Sequence, residues 1–333
     1  ESPYVFQSYK KIQEEAKALG AYMNARLDVI PNDRVGLSGK NAPEYLTAIN
    51  GCFFAGATTV PIYDTFGHTE CQYIMDQAQV KVVFVSKDNA EQIATWSETI
   101  QSVQKIIVWG ADDTFQPASD KIITYEDAVK EGMDLMESTE PKPPTPTDLA
   151  IIMYTSGTTG KPKGVMLTHE ALVATVASTE QYFHDYGYPM GSNDVFMSYL
   201  PLAHVFDFFS ENLYLFLGAK IGYYRGDQKT LVDDIGELKP TVFVGVPRVF
   251  DKIYKRVSGM IQGGSSIKKF LFNTFYDQKN KNMNNGISYN KASFLGDALV
   301  FSKVKARLGG RVRIICSGGA PLAQHVEEFL RVT

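Results

Sequence analysis

The run from Tyr154 to Gly164, YTSGTTGKPKG, gathers more chemistry-bearing groups than any other stretch of this chain. Ser156, Thr158 and Thr159 alternate with Gly157 and Gly160, and Lys161 and Lys163 flank Pro162. Hydroxyl groups, exposed backbone N–H groups and ammonium groups are what a polyphosphate needs. Glycine lets the backbone reach positive φ and approach such a ligand closely. The first reading is a nucleotide site. A solvated Gly/Thr turn is the alternative, although a plain turn needs only two or three such residues.

The common phosphate loop, G-x-x-x-x-G-K-[ST] between a strand and a helix, does not fit. Only two residues separate Gly157 from Gly160, and Pro162 stands where that loop places its metal-holding hydroxyl. Leu149–Tyr154 is an apolar run with the look of a buried strand, and Val165–Leu167 is again short and apolar. Thr168 can cap a helix that starts only at His169 and Glu170. The loop is therefore expected to join two strands, with its phosphates resting on a hairpin rather than on a helix terminus. The same spacing disfavours a phosphotransferase.

The elements that would position this loop follow from hydrophobic patterning. Residues 6–27 carry Tyr9, Ile12, Ala16, Leu19 and Met23 at helical spacing. Strands are predicted at Arg34–Ser38, Thr58–Ile62, Val80–Ser86 and Lys105–Trp109, with helices from Pro43 to about Ala55 and from Ala90 to Ile100. Pro-rich residues 140–147 form a semi-rigid connector. Beyond the loop come strands at Val195–Leu200, Lys220–Tyr224, Thr241–Val246 and Arg311–Cys316, with helices at Val205–Leu217 and Val249–Val257. This alternation predicts an α/β protein with mostly parallel sheets. At 333 residues, two lobes are expected, 34–190 with the loop, and 1–33 plus 191–333. Residues 259–296, rich in Ser, Gly, Asn and Lys, read as a variable surface insertion with some helix.

Composition excludes several classes. Thirty-three Lys and Arg against 37 Asp and Glu leave a net charge of −4, with no basic excess for nucleic acid. Cys52, Cys71 and Cys316 have no metal-ligand spacing and suit a reducing compartment. No apolar run reaches the roughly 18 residues of a membrane span. The expected location is intracellular, in the cytoplasm or on the cytosolic face of an organelle membrane, with peripheral membrane association open. The chain starts at Glu1 without a leading methionine or a signal-peptide pattern and stops at Thr333. It is read as a piece of a longer protein.

Together these blocks resemble the adenylate-forming (acyl-activating) superfamily, which comprises acyl-CoA synthetases, peptide-synthetase adenylation domains and luciferases. Tyr154–Gly164 is similar to its phosphate-loop signature. Within it, residues 199–206 (YLPLAHVF), 221–227 (IGYYRGD), 234–240 (DIGELKP), 246–254 (VPRVFDKIY), 302–305 (SKVK) and 317–322 (SGGAPL) resemble eukaryotic long-chain fatty acyl-CoA synthetases. The likeness runs from about Arg34 to the last residue and implies the N-terminal part of such an enzyme. The family's Tyr-Gly-x-Thr-Glu motif, ribose-binding Asp and small C-terminal domain with its catalytic Lys are not found in these residues.

The resemblance implies a reaction with ATP, Mg2+ and CoA that converts a fatty acid to acyl-adenylate and then to acyl-CoA. Thr155, Ser156, Gly157, Thr158, Thr159, Gly160 and Lys161 would grip the β- and γ-phosphates, and Lys163 is either a second cation or an exposed surface lysine. His204, a structural residue on its own merits, would position nucleotide and carboxylate by hydrogen bond. Phe206 and Phe208 would wall or gate an acyl tunnel or belong to the ordinary core, and Val246 would be a further substrate-binding residue. Gly318, Gly319, Ala320 and Pro321 would lie against the adenine and the tunnel mouth, or form a tight turn before a helix starting at Pro321. Arg248 either faces the ligand cleft or pairs with Asp251. An adenylation domain for amino acids, and a nucleotide- or lipid-binding module without turnover, are the alternatives. For the amino-acid reading the acidic candidate near Val205–Glu211 is Asp207.

Overall fold

The computed structural model describes residues 4–155, 160–227 and 229–333. Eleven strands occur among these residues. They are β1 Arg34–Ser38, β2 Thr58–Ile62, β3 Val80–Ser86, β4 Lys105–Trp109, β5 Ile122–Thr124, β6 Leu149–Thr155, β7 Lys163–Thr168, β8 Val195–Ser198, β9 Lys220–Tyr223, β10 Val242–Gly245 and β11 Ile314–Ser317. Strands β1 to β4 have the predicted bounds, and the ends of the other predicted strands move by a residue or two, except that β11 starts three residues later than expected.

Two compact units divide the chain. The first comprises Val5–Pro189 and Tyr199–Phe216. Its sheet has the order β5-β4-β3-β1-β2-β6-β7, parallel throughout except for the antiparallel β6–β7 pair. Alternate residues of the central strands feed two different cores. Val82, Phe84, Ile107 and Trp109 pack with helices Tyr9–Arg26, Pro43–Phe54 and Tyr125–Leu135 on one face. Val83, Val85, Ile106 and Val108 pack on the other face with helices His68–Gln77 and Lys87–Ser97. A strand covered on both faces is apolar at nearly every position, which is the pattern in residues 80–86.

Helix Tyr9–Arg26 corrects the expected lobe boundary. Residues 1–33 were expected with the second lobe. The helix instead buries Ala18, Leu19, Tyr22 and Met23 between helices Pro43–Phe54 and Tyr125–Leu135 of the first unit. Small residues permit this close crossing, since a Cβ on Gly132 would overlap the Ala18 carbonyl. Periodicity shows that the helix has an apolar face, but not which sheet that face meets.

The second unit comprises Met190–Ser198 and Leu217–Thr333, with Tyr4. Its four strands are all parallel in the order β11-β10-β8-β9. Their amino ends are tied by one buried carboxylate. Asp194 accepts hydrogen bonds from Gly191 N (3.0 Å), Thr241 Oγ1 (2.6 Å) and Arg313 Nη2 (2.7 Å), residues that precede β8, β10 and β11. Residues 259–296 are more than a surface insertion. Helix Ser266–Asn284 contributes Phe272 to a core with Val257, Phe301 and Phe329, and its Lys279 side chain is fully buried.

Candidate functional site

The strand-to-strand expectation for the glycine-rich run holds. Strands β6 and β7 form an antiparallel hairpin in the register Thr155↔Lys163, Tyr154↔Gly164 and Met153↔Val165. Helix His169–Asp185 follows β7 at once, and Ala171 N donates to the capping Thr168 Oγ1 at 3.2 Å. Residues directly opposite in an antiparallel pair share a face. The hydroxyl of Thr155 and the ammonium of Lys163, both on exposed residues, therefore project from one side of the hairpin at the loop's base. Gly160 has φ +98°, a value that favours glycine. The neighbouring Lys161 holds its Nζ 5.2 Å from the Tyr73 ring centroid. Ser156, Gly157, Thr158 and Thr159 lie outside the described residues.

The opposite face of the hairpin is apolar and anchored. Tyr154 is buried, donates its hydroxyl to Gln77 Oε1 at 2.8 Å, and has its phenol pushed up by burial. Its ring explains Gly164, where a Cβ would come within 2.8 Å of Ile152 Cγ2 and 3.2 Å of Tyr154 Cζ. One glycine of the signature therefore serves packing across the pair, while Gly160 serves the turn.

In the same unit, His204 is exposed directly before helix Val205–Phe216. Phe206 N donates to its Nδ1 at 3.2 Å, so the imidazole caps the helix. With Nδ1 accepting, Nε2 of this exposed side chain is the ring nitrogen left to donate. The helix packs against helix His169–Asp185, which leaves the hairpin. Phe206 is half-buried. Phe208 is 1% exposed and packs in the first unit's core, the ordinary-core alternative left open above.

Sequence reasoning missed Asn41. From the loop after β1, its Nδ2 donates to Leu200 O (2.6 Å) and Asp207 Oδ2 (2.9 Å), and its Oδ1 accepts from Leu202 N (3.0 Å). These bonds brace residues 200–207 on both sides of His204. An isolated Asn carries no sequence signal for partners about 160 positions away. Asn41→Ala leaves buried groups unpaired, each costing about 1–3 kcal/mol. The expected outcome is a lower thermal midpoint, read by calorimetry.

The second unit gathers the remaining predicted residues. The strand order reverses between β8 and β10, and in open α/β sheets ligands bind beyond the carboxyl ends of strands at such a point. Val246 lies there, half-buried and directly after β10. Gly318 N donates to Gly245 O at 3.1 Å, and Gly319, with φ +81°, lies against Val246 Cγ1. Ala320 and Pro321 continue exposed. The helix expected at Pro321 starts instead at Gln324. Positive φ at Gly319 turns the chain across the strand ends, and the proline belongs to that turn. Arg248 is exposed at the second position of helix Pro247–Gln262. Among the described residues, no group of three or more His, Cys, Asp or Glu is placed to hold a metal ion.

Comparison with known proteins identifies the family and the fold. The profile of the AMP-binding enzyme family matches residues 2–333. A probable CoA ligase of Humulus lupulus is 39% identical over 334 aligned positions, covering 99% of this chain and 51% of that protein. Long chain acyl-CoA synthetase 1 of Arabidopsis thaliana is 37% identical over 337 positions, with 99% and 51% covered. The chain thus spans about half the length of the curated relatives it matches. Among solved structures, the adenylation domain of a carboxylate reductase from Mycobacterium chelonae superposes with a TM-score of 0.75 at 20% identity, over 100% of this chain and 50% of that one. An adenylation–carrier didomain of a carboxylic acid reductase from Segniliparus rugosus, in complex with AMP, gives 0.73 at 19% identity, with 98% and 45% covered. At these identities the structural matches speak for the fold.

Proposed function

Because the chain belongs to the AMP-binding enzyme family, we propose that its protein activates the carboxylate of a long-chain fatty acid with Mg–ATP and passes the acyl group to CoA. In the first step a carboxylate oxygen attacks the α-phosphorus. The bond from that phosphorus to the α–β bridging oxygen breaks, and pyrophosphate leaves with acyl-adenylate formed. In the second step the CoA sulfur attacks the acyl carbon, AMP leaves, and the thiol proton passes to solvent. The first step needs no protein nucleophile. It needs alignment and neutralisation of charge on the transferring group and its leaving group. The observation that carries this reading is the β6–β7 hairpin, with Thr155, Lys161 and Lys163 at the mouth of a hydroxyl- and glycine-rich loop. Thr155 to Lys161 are assigned to the β- and γ-phosphates, and Lys163 to a second cation beside them. In the first unit, His204 is assigned to hold the reactants through a ring N–H and Phe206 to the acyl chain; in the second unit, Val246 is assigned to the acyl chain. Gly318 to Pro321 are assigned to the adenine.

Support for a fatty acid over an amino acid comes from Asp207. An amino-acid site brings a carboxylate to the substrate amine, and Asp207 is 0% exposed with Oδ2 held by Asn41. The names of the plant relatives point the same way. The test is pyrophosphate release by the intact protein against acids of increasing length. Palmitate is expected to support release with ATP and thioester formation with CoA. Release with a short acid or an amino acid, and none with palmitate, overturns the substrate class. The half-length coverage favours a second reading for the 333 residues by themselves, binding of nucleotide or lipid without turnover. Acyl-adenylate made by these residues alone defeats it.

A further inference from the structure

Helix His68–Gln77 meets the glycine-rich hairpin at two points, one on each side of its loop. Tyr73 and Gln77 are four residues apart and so share one face of the helix. Gln77 Oε1 accepts from the Tyr154 hydroxyl at 2.8 Å, on the strand that enters the loop. The Tyr73 ring lies under the Lys161 ammonium, 5.2 Å from centroid to Nζ, two residues before β7 begins. The helix gives both contacts a firm base. Its Cys71, Ile74 and Met75 are buried in the core on that face of the sheet, and Tyr73 packs half-buried against the same cluster, as does Ile152 of β6. Pro162 adds a restraint from the other side, because a residue before proline is steered away from helical backbone angles.

We propose that Tyr73 is a positioning residue for the polyphosphate of ATP, acting through Lys161. Its ring holds the ammonium at the loop mouth before the nucleotide arrives, so that less side-chain freedom is lost on binding. The nature of the contact suits a cation that must be handed to a ligand. A carboxylate partner would offset the ammonium's charge and compete with a phosphate for it. An aromatic face attracts the ammonium through its quadrupole, brings no counter-charge, and leaves N–H donors of the ammonium open. At an exposed lysine this attraction is weak, enough to narrow a long side chain's rotamers and too little to withhold it from a phosphate. The proposal rests on the assignment of Lys161 to the β- and γ-phosphates. It follows that the ring matters for ATP, which carries those phosphates, and not for AMP, which carries neither.

The experiment is calorimetric titration of the intact protein with Mg–ATP and, separately, with AMP, in the absence of a carboxylate substrate. Tyr73→Leu keeps an apolar contact with the core and removes the ring. It is expected to raise the Kd for ATP about two- to five-fold and to leave that for AMP unchanged. Tyr73→Phe keeps the ring face and is expected to bind both nucleotides as the parent does. In a Lys161→Met background, Tyr73→Leu should have no further effect. A measurement on the parent itself needs no variant to fold: the Lys161 ε-methylene protons should show a ring-current shift by NMR that changes on adding ATP and not on adding AMP. Absence of that shift overturns the proposal. So does unchanged or tighter ATP binding by Tyr73→Leu, or a loss by Tyr73→Phe as large as that of Tyr73→Leu. An equal loss for ATP and AMP, or a loss that persists in the Lys161→Met background, also overturns it, because the ring would then serve packing alone. Those results leave the assignment of Lys161 standing. If Lys161→Met binds ATP as the parent does, that assignment fails and takes the proposal with it.

Discussion

His204→Asn is expected to lower carboxylate-dependent pyrophosphate release about 10²- to 10³-fold while leaving the thermal midpoint within about 1 °C of the parent. The first figure is the usual effect of deleting one well-placed donor from a site that stabilises developing charge. The second follows from geometry. His204 Nδ1 accepts from Phe206 N at 3.2 Å, and asparagine is among the strongest capping residues, so the helix start survives. What asparagine cannot supply is a donor at the reach of Nε2. His204→Ala removes both, and is expected to add a capping loss of about 0.5–2 kcal/mol. The assigned role is positioning by hydrogen bond, because the attacking carboxylate is already ionised near neutral pH. The residual rate of His204→Asn should therefore follow the parent's pH profile. Unchanged release by His204→Asn would reduce His204 to a helix cap. A changed profile would reinstate proton transfer.

Asp194→Ala is expected to destabilise the second unit by about 3 kcal/mol. Removing one partner of a buried pair typically costs about 3–5 kcal/mol, and the lower figure applies because the Arg313 side chain is 38% exposed and finds water. Deletion also strips an acceptor from Gly191 N and Thr241 Oγ1. The thermal midpoint of the transition that reports this unit should fall by about 6–12 °C. Burial by itself would raise the Asp194 carboxyl, but the Arg313 guanidinium, the Thr241 hydroxyl and the Gly191 N–H outweigh it and hold the group below the usual range. A depressed carboxyl stabilises the fold at pH above the unfolded value, about pH 4, and the contribution is lost as pH falls through the folded value. Parent and variant should therefore differ fully at neutral pH and converge in acid. A difference of under about 1 kcal/mol at pH 7, read from denaturant midpoints, would mean that the three strand ends are held without the aspartate.

Local information settled a large part of this protein. Runs dominated by apolar and β-branched residues and bounded by turn residues placed β1, β2, β3 and β4 to the residue, because a strand covered on both faces carries few charged side chains. The Gly, Thr and Lys content of residues 154–164, with apolar flanks too short for helices, was enough to expect a hairpin loop suited to polyphosphate. Contacts between residues far apart in the chain decided the rest. Helix Tyr9–Arg26 joined the first unit because its small residues fit helices Pro43–Phe54 and Tyr125–Leu135, and an apolar stripe does not name its partner. Phe208 went to the core and His204, four residues earlier at the helix start, to the surface, which a sequence pattern of four residues does not decide. Asn41 acquired a role beside His204 through three hydrogen bonds spanning about 160 residues. Lys279 became a buried ammonium, and Phe294 an exposed ring, in a stretch whose Ser, Gly, Asn and Lys content suggested a variable surface insertion with some helix. Composition reports the average environment of a segment, whereas burial of one side chain is set by what packs over it.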